Sequence, residues 1–152
     1  MADVVTKEKR SAMMAGIKGK NTRPEITIRK ALYERGFRYR LHTKDLPGKP
    51  DLVFPKYRTV VFVHGCFWHR HDCHLFKWPS TRREFWEEKI TGNANRDILH
   101  KNRLIEAGWK IVIIWECAMK GKYRLPLDKV ADLTIAALHG QPATITEIAG
   151  YP

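Results

Sequence analysis

Cys66, His71 and Cys73 fall inside one short stretch, and Cys117 follows the apolar run Lys110 to Trp115. Zinc takes four Cys or His donors in a tetrahedron. Three near donors and one distant donor would staple a long loop, otherwise costly to order, to the end of a core strand. Four protein ligands leave no open position, so such a site would be structural. The spacing C-x4-H-x-C is not that of a standard zinc finger, and His74 competes as the third or fourth ligand. Buried thiols beside surface histidines are the alternative. A second group centres on Asp51. Pro50-Asp51 opens one apolar run, and His64 closes another that begins at Thr59. A carboxylate at such a strand end can bind a hard cation such as magnesium, which activates water and offsets charge at a phosphate. An aspartate that merely caps a turn is the commoner meaning of the dipeptide alone.

A third group is aromatic. Phe67 and Trp68 lie between Cys66 and His69. Rings in a polar loop are costly unless they meet something, and apolar wedges can enter and unstack a base step. A mispaired step opens more easily than a paired one. Packing into the core is the other reading, and it is the one adopted for Phe85.

The elements that must position these groups follow from local pattern. Lys7 to Ile17 reads as a short basic helix that Gly16 and Gly19 weaken. Thr22-Arg23-Pro24-Glu25 reads as a helix start, with Thr22 as cap and Glu25 three residues on. Ile28, Leu32 and Tyr33 form its buried stripe, and Gly36 stops it. Strands are expected at Phe37 to Leu41, Asp51 to Phe54 and Thr59 to Val63, the last two joined by a tight turn at Pro55 to Arg58. That hairpin places Asp51 and His64 near one end. A loop from His64 to Ser80 precedes helices at Arg82 to Ile90 and Asn93 to Ala107. The second carries Ile98, Leu104 and Ile105 as apolar positions. Trp109 to Trp115 is expected as a central strand and Leu127 to Leu138 as a last helix. The tail from Gly140 (residues 140–152) carries no signal. This order gives an α/β fold, a mixed central sheet flanked by helices.

The chain has 152 residues, the size of one domain, and residues 1–152 are read as one. Lys and Arg number 28 against 16 acids, a net charge of +12. Charge of that sign on the surface attracts polyanions, nucleic acid before an anionic membrane. Arg82, Arg83, Arg96 and Lys101 are candidate phosphate contacts, which position without specifying. No stretch is apolar enough to span a bilayer and the N-terminus has no secretory pattern, so the cytoplasm is expected. Three cysteines do not close a disulfide framework, which favours metal ligands or buried thiols.

The Pro-Asp, hairpin and downstream strand end resemble the PD-(D/E)XK nuclease superfamily, with a departure. The second acid of that pattern falls at Val63 and its lysine at His64. This departure, with Leu46-Pro-Gly-Lys-Pro-Asp51, His64-Gly-Cys-Phe-Trp-His69, Thr81-Arg82, Glu84-Phe-Trp86, Glu88-Lys-Ile90, Asn93, Arg96-Asp97 and Trp115-Glu-Cys117, resembles the very-short-patch-repair (Vsr) endonucleases. The resemblance runs from the N-terminus to at least Cys117. It implies a restriction-endonuclease-like fold, and nicking of one strand of duplex DNA at T:G mismatches left by deaminated 5-methylcytosine. It implies that Asp51 binds magnesium with the Val63 backbone carbonyl, that His69 is the general acid-base and His64 a second catalytic histidine. Glu25 and Asp97 would orient histidines or metal-bound water. It assigns structural zinc to Cys66, His71, Cys73 and Cys117. Trp86 resembles a third intercalating ring beside Phe67 and Trp68. Met14 and Ile17 resemble an N-terminal segment (residues 1–20) that inserts from the opposite groove. Lys89 and Asn93 match polar contacts to the mispaired bases. A monomer is expected, with mismatch-repair proteins as candidate partners. The alternatives are an endonuclease of the same fold without mismatch preference, and a non-catalytic zinc-containing DNA-binding module.

Overall fold

Thr22 stands in extended conformation ahead of α1 (Arg23–Glu34), with proline in the first turn, where its missing N–H costs nothing. The structure, a computed structural model, describes residues 22–150. The expected helix at Lys7 to Ile17, with Met14 and Ile17, lies outside the described residues. Glu25 does not complete a capping box: Thr22 makes no side-chain cap bond, and Glu25 is buried. Ile28 and Leu32 are fully buried, but Tyr33 is half exposed, under the Arg38 guanidinium. Gly36 ends the helix at a φ of +92°, a left-handed turn that a Cβ would strain.

Five strands form one sheet in the order β1 (Arg40–Leu41), β2 (Leu52–Phe54), β3 (Thr59–His64), β4 (Lys110–Trp115), β5 (Ile145–Ile148). The first two pairings are antiparallel and the last two parallel. The expected strand from Phe37 shrinks to two residues because the Phe37 ring packs on Tyr57 and His139 instead. A 3-10 turn at Pro55–Tyr57, with Arg58 left-handed, makes the tight connection between β2 and β3. The tail is not featureless: β5 adds to the free edge of β4. Ile145 is exposed and Ile148 buried, so the strand forms only because β4 offers it a partner.

The expected two helices between β3 and β4 are one, α2 (Arg83–Glu106). Gly92 costs a helix about 1 kcal/mol. Burying Ile90 on one side of it and Leu104 on the other returns about 1.5–3 kcal/mol each, so the helix continues. Ile98 faces solvent, and Phe85, expected in the core, is 44% exposed beneath the Arg82 guanidinium. α3 (Leu127–Leu138) has the expected bounds.

Alternation along the strands sorts the core into two layers. Leu52, Phe54, Val61, Val112 and Ile114 face α1 and α3. Val53, Val60, Phe62, Ile111, Ile113 and Trp115 face Leu104 of α2 and the loop that carries Cys66. The sheet is thus covered on both sides, and its chemistry gathers where β3 and β4 end.

Candidate active site

The antiparallel ladders bring three distant residues to one corner. Leu41 pairs with Leu52, and His42 then donates its N–H to the Asp51 carbonyl at 3.1 Å. Leu52 pairs with Val61, and the Asp51 N–H reaches the Val61 carbonyl at 3.0 Å. The Asp51 carboxylate accepts the Val63 N–H at 2.7 Å. From α1, buried Glu25 meets His42 Nε2 at 2.7 Å and Arg29 at 2.8 Å. Ligating atoms of Glu25, His42 and Asp51 lie within 4.8 Å of one another. Two carboxylates offering oxygen suit a hard cation, and Glu25 oriented by two donors keeps its place. Burial raises the Asp51 carboxyl to about 7; Glu25 adds to the rise and the Val63 N–H opposes it. A carboxylate so disfavoured alone is one that a cation stabilises. His42 was missed in the sequence, although the strand register, carried one pair further, places it opposite Asp51.

A second group starts one residue beyond Val63. His64 is buried and its ring stacks on that of His69, with centroids 3.7 Å apart and planes 4° from parallel. His69 Nδ1 meets Asp97 of α2 at 2.6 Å, which fixes the ring and leaves Nε2 as the working nitrogen. Burial holds the His64 imidazole well below its ordinary pKa, and His69 and Lys101 push the same way. Asp97 bonds His69, whereas Glu25 bonds His42. Val63 joins the groups: its N–H holds Asp51, and its neighbour stacks on His69. Gly48, at a φ of +76°, lets the preceding turn pass against Phe62 and His100, where a Cβ would come within 3.1 and 3.2 Å.

The parallel register explains the third group. His64 pairs with Trp115, so Cys66 and Cys117 each lie two residues past a matched pair. The Cys117 N–H reaches Cys66 Sγ at 3.3 Å. His71 Nδ1 lies 3.5 Å from Cys66 Sγ and 3.6 Å from Cys117 Sγ, its ring stacked on Trp115. With Cys73, the four donors lie within 4.8 Å of one another. Burial raises the Cys66 and Cys117 thiols and lowers His71, which keeps the imidazole neutral and able to ligate. A Cys3His set of this shape fits a soft or borderline metal. The rival His74 is elsewhere, with its Nε2 buried against Gly121 and its ring edge-on to Tyr123.

Phe67, Trp68 and Trp86 form one cluster of tilted rings, with centroids 5.2 to 5.8 Å apart. All three are half-buried. Asn93 donates to the Trp68 carbonyl at 3.0 Å and accepts from Arg96, which ties this loop to α2. Lys89 is exposed on the same helix. Met14 and Ile17 lie outside the described residues.

Comparison with known proteins puts the chain in the class of DNA endonucleases. A family model described as DNA mismatch endonuclease Vsr matches residues 2–75. The type II nicking enzyme V.NmeAIP of Neisseria meningitidis is 48% identical over 122 residues, covering 80% of this chain and 87% of its own. The DNA mismatch endonuclease Vsr of Escherichia coli is 47% identical over 125 residues, covering 82% and 80%. The type II nicking enzyme V.XorIIP of Xanthomonas oryzae is 44% identical over 119 residues, covering 78% and 88%. The chain belongs to the DNA mismatch endonuclease Vsr family.

Proposed function

We propose that this protein is a magnesium-dependent endonuclease that nicks one strand of duplex DNA beside the thymine of a T:G mismatch. The observation that carries the reading is that the Glu25–His42–Asp51 group, through the Val63 N–H, and the His64–His69–Asp97 group attach to neighbouring residues at the end of β3. Asp51 and Glu25 would hold the magnesium, with the Val63 carbonyl as a further oxygen. Bound there, it would lower the pKa of water and offset charge on the phosphate. His69, held by Asp97, would move the proton, and His64 would fix the plane of its ring. The mixed sheet with its β2–β3 hairpin supports a restriction-endonuclease-like fold in a single domain over residues 1–152. The protein would act as a monomer in the cytoplasm. Among the described residues no helix is long and apolar enough to cross a membrane.

The Phe67–Trp68–Trp86 cluster would enter the mispaired step, and Asn93 and Lys89 would meet its bases. Opening a step costs a few kcal/mol, less at a mismatch. The test is strand-resolved nicking of otherwise identical T:G, T:A and C:G duplexes. A T:G rate about 100-fold above the paired rates is expected, the size of about 3 kcal/mol of discrimination. Equal rates would leave an endonuclease without mismatch preference, and no cutting of any duplex would leave a binding module.

Zinc in the Cys3His cluster would staple the loop to β4. Cys117→Ser is expected to lower the melting midpoint by about 10 °C or more, because metal binding here is folding free energy. Metal analysis should give about one zinc per wild-type chain and much less for the variant. Full zinc content in Cys117→Ser would remove Cys117 from the ligand set.

A further inference from the structure

Beside the two stacked imidazoles is a cavity of about 240 Å³. Its walls include Phe62, His64, His69, Arg96, His100 and Lys101. Asp97, His100 and Lys101 fall three and four residues apart on α2, so one face of the helix supplies them all. Asp97 is committed to His69. Of the side chains lining the cavity, only Arg96 and Lys101 carry a permanent positive charge. Arg96 is exposed and spans to Asn93. Lys101 is half-buried and has neither an ion-pair nor a hydrogen-bond partner for its ammonium among the described residues. A half-buried lysine with no ion-paired acid among the described residues, whose one neighbouring carboxylate in the cavity, Asp97, is already bonded to His69, is a site prepared for an anion.

We propose that Lys101 binds a non-bridging oxygen of the scissile phosphate in this cavity and offsets the charge that builds there during cleavage. The inference rests on the nuclease reading above and adds a residue to it. In the hydrolysis, a water oxygen bonds to phosphorus as one bridging P–O bond breaks. The water proton passes to His69, and the departing ester oxygen takes up a proton from solvent. No electron donor or acceptor is needed, and Lys101 keeps its protons throughout. Its charge acts most strongly on the pentavalent state, which carries more negative charge on the equatorial oxygens than the bound diester does. Lys101 is therefore a rate residue more than an affinity residue, unlike a lysine that only touches a neighbouring phosphate.

The experiment compares wild type, Lys101→Met, Lys101→Gln and Lys101→Arg on a T:G duplex with magnesium, under single turnover at saturating protein. Duplex Kd is measured by fluorescence anisotropy without added magnesium, and rates are normalised to the protein that binds duplex, so partial unfolding does not register. Lys101→Met and Lys101→Gln are expected to lower the saturated rate about 100-fold while Kd moves by no more than about threefold. Lys101→Arg should recover at least about a tenth of the wild-type rate, because the charge remains in a wider head group. Two results overturn the proposal. One is a saturated rate within about threefold of wild type in both neutral variants; the other is a Kd that weakens while the saturated rate holds. Failure of the wild type itself to nick with magnesium would strike the nuclease reading instead, so the two failures are distinguishable.

Discussion

Asp51→Asn is expected to stop magnesium-dependent nicking and to leave mismatch-duplex binding in place. A cation at a phosphoryl oxygen contributes several kcal/mol of transition-state stabilisation. About 4 kcal/mol is three powers of ten, so single-turnover nicking should fall about 1000-fold or more. Asparagine keeps the fold because its carbonyl can still accept the 2.7 Å bond from the Val63 N–H. The variant carries a second signature in stability. Burial, with Glu25 nearby, raises the Asp51 carboxyl to about 7 in the folded chain, against about 3.9 when unfolded. The folded state therefore binds this proton more tightly. The associated stability is complete below about pH 4 and is lost as pH rises through about 7. Asparagine loses nothing over that window. In protein dialysed free of magnesium, Asp51→Asn should melt above wild type at pH 8 and close to it at pH 4. Added magnesium should raise the wild-type midpoint at pH 8 and leave the variant unmoved. Melting curves at the two pH values, with and without magnesium, test this. The same gap at both pH values would mean that the carboxyl is not strained by its site.

His69→Ala is expected to lower the saturated nicking rate about 10²- to 10⁴-fold, the usual worth of a positioned acid-base. Asp97→Asn should cost less, because the imidazole stays and still stacks on His64 at 3.7 Å. The double variant should be no slower than His69→Ala alone, since Asp97 works through the ring it holds at 2.6 Å. Additive losses in this double-mutant cycle would give Asp97 a separate role. A His69→Ala enzyme that nicks at the wild-type rate would move the proton transfer to another group.

Local pattern determined much of this protein. Alternating and β-branched runs marked β2, β3 and β4, Gly36 marked the end of α1, and the Cys66–His71–Cys73 loop with Cys117 marked the cluster of four donors that could hold a metal. These signals depend on neighbours in the chain, and sequence carries neighbours directly. Tertiary structure decided the rest. Only the register of β1 on β2 sets His42 against Asp51, and only α1 docked on the sheet turns Glu25 from a helix cap into a buried partner for His42. Gly92 reads as a break until Ile90 and Leu104 find the core on either side, and Ile145 to Ile148 is a strand only because β4 leaves an edge to pair. Phe85 reads as core but lies outside it, because α2 turns that face to solvent. The sequence offers Lys101 as one of four candidate phosphate contacts; the fold alone sets it in a cavity beside His69, unpaired among the described residues. In each case the deciding energy comes from groups far apart in the chain, and it exists only once they meet.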